Sequence, residues 1–143
     1  LWDYANQGGT VIIQYNTSRG FDSSIMSPYL IKLSRDRVTD ENADVIFLKK
    51  DHPLLNEPNK ITEKDFKGWV QERGLYFANE WDERYQSLFS MSDKGEKSNK
   101  GSLLAANYGK GKIIYTGLSF FRELPSGVPG AYRLFINLIS YGQ

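Results

Sequence analysis

The sequence contains no cysteine and only one histidine, His52. The absence of cysteine excludes thiol nucleophiles, disulfides and zinc sites built on thiolates. A single histidine excludes His-rich metal sites and acid–base schemes that need two imidazoles. His52 precedes a proline in Asp51-His52-Pro53, and no Gly-x-Ser-x-Gly motif supplies a nucleophile for it. This context favours a loop or capping histidine over a catalytic one.

An excess of charge of one sign is also missing. Eighteen Lys and Arg stand against 17 Asp and Glu, which leaves a formal net charge of +1. Because nucleic-acid-binding domains normally carry a basic excess, this balance argues against nucleic acid as a partner. No stretch approaches the roughly 18 consecutive apolar residues that span a bilayer. We therefore expect no membrane insertion.

Signatures of cofactor binding are absent as well. The segment Gly109-Lys110-Gly111-Lys112 lacks both the glycine spacing and the following Ser or Thr of a phosphate-binding loop. We expect neither a cofactor nor a metal site. The length of 143 residues, with 40% hydrophobic and 24% charged residues, fits one folded domain over residues 1–143. Aromatic residues make up 14% of the chain, which leaves rings for roles other than packing in a core.

The first residues indicate the end of a helix followed by a buried strand. Residues 1–7 fit two helical turns that Gly8-Gly9 terminates. Thr10–Tyr15 is a nearly continuous apolar run rich in β-branched residues, which predicts a central strand buried on both faces. Since a domain seldom begins within a helix, we expect a strand and most of a helix to precede Leu1. The polar loop 16–27 leaves the carboxyl end of this strand, where open α/β sheets place ligands.

The rest of the chain predicts a mixed sheet with helices packed on it. Thr62 is predicted to cap a short helix, and a helix beginning at Pro129 presents Leu134, Phe135, Leu138 and Ile139 on one face. The glycine-rich turn at residues 109–111 predicts an antiparallel hairpin near the C-terminus. The predicted strands are Tyr29–Leu33, Ala43–Leu48, Gly74–Asn79, Gln86–Met91, Ser102–Tyr108 and Lys112–Leu118. The fold class is therefore α/β.

Several motifs carry a resemblance to a known family. The segment 108–118 (YGKGKIIYTGL) is similar to the hairpin of ThuA-like domains of the class I glutamine-amidotransferase-like superfamily. Tyr4 with Gly8–Ile12 resembles the helix–Gly-Gly–strand junction of that superfamily, and Asp51–Leu54 with the later segment 79–81 resembles its His-Pro turn and acidic segment. Segments 68–77, 119–122 and 127–134 look more narrowly like the amidotransferase-like domain found C-terminal in bacterial PIG-L (LmbE-like) deacetylases.

The resemblance implies a flavodoxin-like three-layer fold, a carbohydrate as ligand and an N-terminal deacetylase domain as partner. It does not imply catalysis, because the Cys-His-Glu triad of glutamine amidotransferases would need a cysteine. The ThuA-like pattern also has Gly-His after the hairpin strand, where this chain has Ser119-Phe120. We expect a non-catalytic accessory domain that positions a sugar. The alternatives are an independent ThuA-like carbohydrate-active enzyme and a purely structural docking module.

Candidate ligand-binding residues are aromatic or charged, or lie where the sheet topology places a ligand. Aromatic faces stack on sugar rings, while carboxylate and guanidinium groups hydrogen-bond their hydroxyls. The competing interpretation places both tryptophans in a core or interface and the charges in solvent. A carboxylate pair of Glu72 with Glu80 or Asp82 would need a separation of roughly 5–10 Å, which sequence cannot supply. The candidates are Asn16, Arg19, Trp69, Glu72, Arg73, Glu80, Trp81 and Arg122.

Overall fold

A mixed four-stranded sheet forms the centre of the molecule in the computed structural model, which describes residues 1–143. The helices are α1 (Trp2–Asn6), α2 (Ser23–Met26), α3 (Phe120–Glu123) and α4 (Pro129–Ser140), with two 3₁₀ turns at Pro53–Leu55 and Glu63–Phe66. The strands are β1 (Thr10–Gln14), β2 (Ile31–Leu33), β3 (Arg37–Val38), β4 (Val45–Phe47), β5 (Gly74–Leu75), β6 (Ala78–Trp81), β7 (Gln86–Ser87), β8 (Phe89–Met91), β9 (Leu103–Tyr108) and β10 (Gly111–Thr116). The predicted α/β class with a mixed sheet is confirmed.

Strand order in the central sheet is β1-β10-β9-β7. β1 runs parallel to β10, while β9 lies antiparallel to both β10 and β7. The predicted hairpin is confirmed, with Gly109 at φ +57° in its turn. The remaining strands form three separate two-stranded ladders, β2–β6, β3–β5 and β4–β8.

The central position predicted for the strand beginning at Thr10 is wrong, because β1 lies at an edge of the sheet. Val11 and Ile13 are buried on one face, and Ile12 packs on the opposite face. Layers cover both faces, so the strand reads as continuously apolar although only one of its backbone edges pairs with another strand. A run of apolar residues reports covered faces and carries no information about a second neighbouring strand.

Two hydrophobic clusters cover the two faces of the sheet. Side chains alternate along β9, so that Leu103 and Ala105 join one cluster of 20 buried residues, while Leu104 and Ala106 join a second cluster of ten. The larger cluster includes the inner face of α4, and the smaller one includes α1 and the β2–β6 ladder. None of the helices combines the length and apolar character needed to cross a bilayer.

Helix α4 shows both the strength and the limit of the predicted helical pattern. Leu134 and Leu138 are fully buried, as predicted, whereas Phe135 is half-buried and Ile139 is 51% exposed. Their apolar flank continues to Ile136, which is also exposed. At the other predicted start, Thr62 caps a single 3₁₀ turn whose Asp65 side chain bonds back to the Thr62 N–H, a reciprocal capping box.

Candidate functional site: a groove at the carboxyl end of β1

The carboxyl ends of the parallel strands β1 and β10 lie side by side, with Gln14 opposite Thr116. The next residue, Tyr15, donates its N–H to the Thr116 carbonyl at 2.9 Å and has φ +49°. A left-handed backbone is unfavourable for a bulky side chain and persists only where surrounding contacts enforce it. β1 therefore ends at Gln14, and the Tyr15 side chain packs against Phe121 of α3, the helix that follows β10.

The Tyr15 ring forms the centre of an aromatic cluster. It packs against Phe121 with ring centroids 4.4 Å apart and meets Tyr76 edge-on at 5.6 Å. Beside it lies a cavity of about 400 Å³, which we call the aromatic groove. Its lining residues are Gln14, Tyr15, Phe120, Phe121, Leu124 and Phe135. A volume in this range accommodates a small ligand against mostly apolar walls.

A polar pair flanks these rings. Glu72 accepts hydrogen bonds at its Oε1 atom from the Tyr15 hydroxyl at 3.3 Å and from Arg122 Nε at 3.1 Å. The Glu72 side chain is only 13% exposed, whereas that of Arg122 is 38% exposed. Neither the Oε2 atom of Glu72 nor the terminal nitrogens of Arg122 bond to any other group of the chain. The pair thus retains one acceptor oxygen and a set of donors.

Burial and the Glu72 carboxylate together perturb the Tyr15 hydroxyl. They raise the pKa of Tyr15 to about 12, with burial as the larger cause and Glu72 next. Both effects disfavour a phenolate, since a second negative charge would face the carboxylate in a partly dehydrated place. Tyr15 is therefore a hydrogen-bond donor, and not a base, across the neutral range.

The loop that carries Glu72 is fixed to the end of β10. Gly117 makes this possible, because a Cβ at that position would lie 2.5 Å from the carbonyl oxygen of Leu75. The fully buried Ser119 hydroxyl lies 3.1 Å from the Glu72 carbonyl and 3.0 Å from Glu123 Oε2. Glu123 in turn accepts the Val70 N–H at 2.5 Å. These contacts hold the Glu72 backbone rigidly beneath its side chain.

Glu123 itself has no access to a ligand, because its side chain is entirely buried. Burial raises the pKa of Glu123, while its hydrogen bonds from Val70 and Ser119 oppose that rise. A carboxyl enclosed in this way can position the loop of Glu72 and cannot meet a substrate. No group of three or more His, Asp or Glu side chains comes together as a metal site would require.

Two of the sequence candidates, Trp69 and Arg73, lie in the interior. Trp69 is 2% exposed, donates its indole N–H to the Asp65 carbonyl and packs against Phe66. Arg73 is 4% exposed and donates to the carbonyls of Ala43 and Phe66. Its guanidinium has no carboxylate partner and satisfies backbone acceptors instead. Both side chains therefore pack in the interior beside the segment that carries Glu72, and neither lines the aromatic groove.

Asn16 and Arg19 lie on the loop that leaves Tyr15. Asn16 is half-buried and donates its amide to the carbonyl of Gln14, a residue that lines the aromatic groove, at 3.3 Å. Arg19 is exposed in the turn closed by Thr17 and Gly20 and makes no hydrogen bond within the chain. Asn16 and Arg122 thus lie at the same end of the sheet, where the topological argument expected them, and Glu72 joins them through its bonds to Tyr15 and Arg122.

Glu80 and Trp81 belong to a different part of the molecule, the β2–β6 ladder. Glu80 forms an exposed ion pair with Lys32 at 3.2 Å, and Trp81 packs against the smaller hydrophobic cluster. Asp82 is bound by Arg84 at 2.8 Å, and the hydrogen bonds from Arg84 lower the pKa of Asp82 to about 2. Glu80 and Asp82 therefore each have a cation of their own, and neither contacts Glu72.

Sequence reasoning did not single out Tyr15 and Phe121, which line the groove, or Tyr76, which packs against Tyr15. The pattern placed Tyr15 and Tyr76 within predicted strands, whereas both have a positive φ and lie outside the strands of the structure. The available signal was positional, because Tyr15 immediately precedes the polar run Asn16-Thr17-Ser18 at the carboxyl end of a buried strand. An aromatic residue at that junction projects from the sheet edge where ligands bind.

The fold and this site define an α/β domain with a ligand-sized groove at the carboxyl end of a parallel strand pair. No family model and no curated protein matches the chain. Among solved structures it is similar to the cytoplasmic protein STM3548 from Salmonella typhimurium, with a TM-score of 0.59 at 16% sequence identity. The similarity covers 97% of this chain and 57% of that protein. At this identity the likeness shows a shared fold alone.

Proposed function

We propose that this domain binds a carbohydrate in the aromatic groove and catalyses no reaction itself. The observation that carries the proposal is the juxtaposition of exposed aromatic surface with the half-satisfied Glu72–Arg122 pair. Phe121 is 48% exposed and lies within 4.4 Å of the Tyr15 ring. Glu72 Oε2 and the terminal nitrogens of Arg122 remain available for hydroxyl groups.

The chemistry of the groove favours a neutral, polyhydroxylated ligand. Sugar rings present apolar C–H faces to aromatic rings and hydroxyls at their edges, which matches walls of Tyr15, Phe121 and Phe135 beside an ion pair. The charges of Glu72 and Arg122 compensate each other, so the site has no net attraction for an ion. An ionic ligand would have to displace one partner of this pair, which would leave the charge of the other without a partner.

The non-catalytic part of the proposal follows from the residues near the groove. Tyr15 keeps its proton across the neutral range, and Glu123 is enclosed. No carboxylate lines the groove itself, and the Oε1 atom of the neighbouring Glu72 is already engaged by two donors. Hydrolysis of a glycosidic bond ordinarily uses two carboxyl groups that face one substrate. Acyl transfer would need a nucleophile with an adjacent base, which these residues do not supply.

More specifically, we propose that the chain is an amidotransferase-like accessory domain with a flavodoxin-like three-layer fold, related to those of PIG-L-type deacetylases. The parallel β1–β10 pair and the glycine hairpin agree with the motifs on which that resemblance depends. An N-terminal deacetylase domain would then supply the chemistry, and this domain would hold an N-acetylated sugar for it. The central sheet has four strands, whereas a flavodoxin-like sheet has five, so the flavodoxin-like fold goes further than the observed topology.

A titration with N-acetylglucosamine oligomers followed by ¹H–¹⁵N NMR tests the binding. None of the three tryptophans lines the groove, so amide shifts at Tyr15 and Asn16 and the Arg122 Nε signal are better probes than tryptophan fluorescence. We expect saturable shifts at these positions. Phe121→Ala should weaken binding about tenfold, since an aromatic contact contributes roughly 1–1.5 kcal/mol.

Tyr4→Leu is the matched control, because Tyr4 is 59% exposed on α1, at the opposite end of β1. It should leave the affinity unchanged. Absence of saturable shifts would overturn the carbohydrate proposal and favour the docking alternative. Release of acetate or reducing sugar from the same samples would overturn the non-catalytic part and favour an independent carbohydrate-active enzyme.

A further inference from the structure

A second cavity lies at the other end of β10, away from the aromatic groove. Lys112, the second residue of β10, lines it together with His52 from the preceding loop and Tyr141 after α4. The cavity has a volume of about 600 Å³ and opens to solvent. We call it the cationic cavity, because lysines are its most frequent lining residues.

Three lysines, Lys49, Lys50 and Lys112, line the cationic cavity, against one carboxylate, Asp51. None of the three takes part in any of the ion pairs of the chain, which join other residues. Three unpaired ammonium groups around one concave surface repel each other. An uncompensated positive potential of this kind attracts anions, and concave walls concentrate it.

Lys112 is held in place. Its ammonium group donates to Asn107 Oδ1 at 2.7 Å and lies 5.2 Å from the centre of the Tyr141 ring. Two of its three donor positions are thereby left to face the cavity. These contacts already restrict the Lys112 side chain, so it loses less conformational entropy when a ligand binds.

His52 supplies a further donor of defined direction. Its Nδ1 accepts the Leu54 N–H at 3.1 Å, so the neutral ring carries its proton on Nε2. Nε2 lies 3.5 Å from the Tyr141 hydroxyl at the wall of the cavity. Burial lowers the pKa of His52, Lys112 and Lys49 lower it further, and the Gln86 amide opposes them. The imidazole therefore experiences the unrelieved positive charge around it.

We propose that the cationic cavity binds the phosphoryl group of a phosphorylated small molecule. A phosphoryl dianion offsets the surplus of positive over negative charges there and accepts hydrogen bonds in several directions at once. Lys49, Lys50 and His52 lie on the loop after β4 and Lys112 lies on β10, so donors line the cavity from two elements, which suits a group that accepts hydrogen bonds in several directions. The proposal is independent of the function assigned to the aromatic groove.

His52 is the only histidine of the chain, so its imidazole proton gives a single resolved NMR signal. The experiment titrates the protein with inorganic phosphate at constant ionic strength and records the His52 signal from pH 5 to 8. We expect saturable shifts and a raised His52 pKa, because a bound dianion stabilises the imidazolium. Acetate and chloride at the same ionic strength should produce neither.

Lys112→Gln and Lys49→Gln should each weaken phosphate binding about fivefold, the effect expected for one charge near a solvated site. Lys110→Gln is the matched control, since Lys110 is exposed in the adjacent hairpin turn but does not line the cavity. Equal responses to phosphate, acetate and chloride would reduce the effect to general screening and overturn the proposal. Equal losses in all three lysine variants would overturn it as well.

Discussion

Replacement of Asn137 by alanine tests how the loop containing His52 is held against α4. Asn137 is fully buried within the helix. Its Nδ2 donates to the carbonyls of Leu54 and Asn59 at 2.9 and 2.7 Å, and its Oδ1 accepts the Asn59 N–H at 2.9 Å. A single amide side chain thus satisfies three backbone groups of a segment that makes no backbone–backbone hydrogen bond with α4.

The expected cost follows from these three bonds. Each contributes about 1 kcal/mol net, and the Leu54 carbonyl left without a partner in the interior adds roughly 1 kcal/mol more. Alanine returns about 0.6 kcal/mol through its higher helix propensity. The net loss is about 3 kcal/mol, which for a chain of this length lowers Tm by about 10 °C. Asn59 is half-buried, so water can hydrogen-bond its backbone groups in the variant and offset part of the lost free energy.

Urea unfolding followed by circular dichroism measures this difference, with Ser140→Ala as the control on the same helix. Ser140 is partly exposed and its side chain makes no hydrogen bond, so that variant should be at least as stable as the parent. Asn137→Asp places an oxygen opposite two carbonyls and should be at least as damaging near neutral pH. Its burial would raise the pKa of the new carboxyl, so its stability should fall as the pH rises above about 4. A loss below 1 kcal/mol for Asn137→Ala would refute the reasoning.

Three further predictions concern the pKa values of two tyrosines and the packing of Gly117. Glu72→Gln should lower the pKa of Tyr15 from about 12 while leaving it above 10, because burial is the larger cause; ¹³C-labelled tyrosine NMR measures it, and an unchanged value contradicts the assigned contact. The pKa of Tyr85 is also about 12, so the native state holds protons that the unfolded chain loses between pH 10 and 12, and the free energy of unfolding should fall across that window. Gly117→Ala should destabilise by about 2 kcal/mol in urea unfolding, since its Cβ would overlap the Leu75 carbonyl; full stability would show that the two segments can separate freely.

The elements that sequence predicted well are those in which one local pattern has one structural solution. Two predicted strands on either side of the glycine-rich turn at residues 109–111 predict an antiparallel hairpin, and that hairpin is present. Likewise the Thr62 capping pattern marks the start of a helical turn. What local pattern cannot supply is partnership at a distance. The run at Thr10–Tyr15 is equally apolar at an edge or at the centre of a sheet.

The candidate site illustrates the same limit. Charged residues around Trp69 and Trp81 are dense in the sequence, yet Trp69 is a core residue and Trp81 belongs to another ladder. Glu72 and Arg122 meet although 50 residues separate them, because Ser119 and Gly117 bring their two loops together. The density of charged and aromatic residues along the chain therefore did not predict which rings lie beside Glu72 and Arg122, whereas the topological argument predicted that Asn16 and Arg122 lie at one end of the sheet.

The two proposed sites lie at opposite ends of β10, and this arrangement makes them separable by experiment. Lys112 pairs with Thr10 and Thr116 pairs with Gln14, so four residues, or about 13 Å of strand, divide the cationic cavity from the aromatic groove. A single phosphorylated monosaccharide is too short to occupy both. Saturating the His52 signal with phosphate should therefore leave the affinity for N-acetylglucosamine oligomers unchanged, as measured at the Tyr15 amide. Competition between the two ligands would mean that one site binds both, and it would refute the assignment of separate sugar and phosphoryl sites.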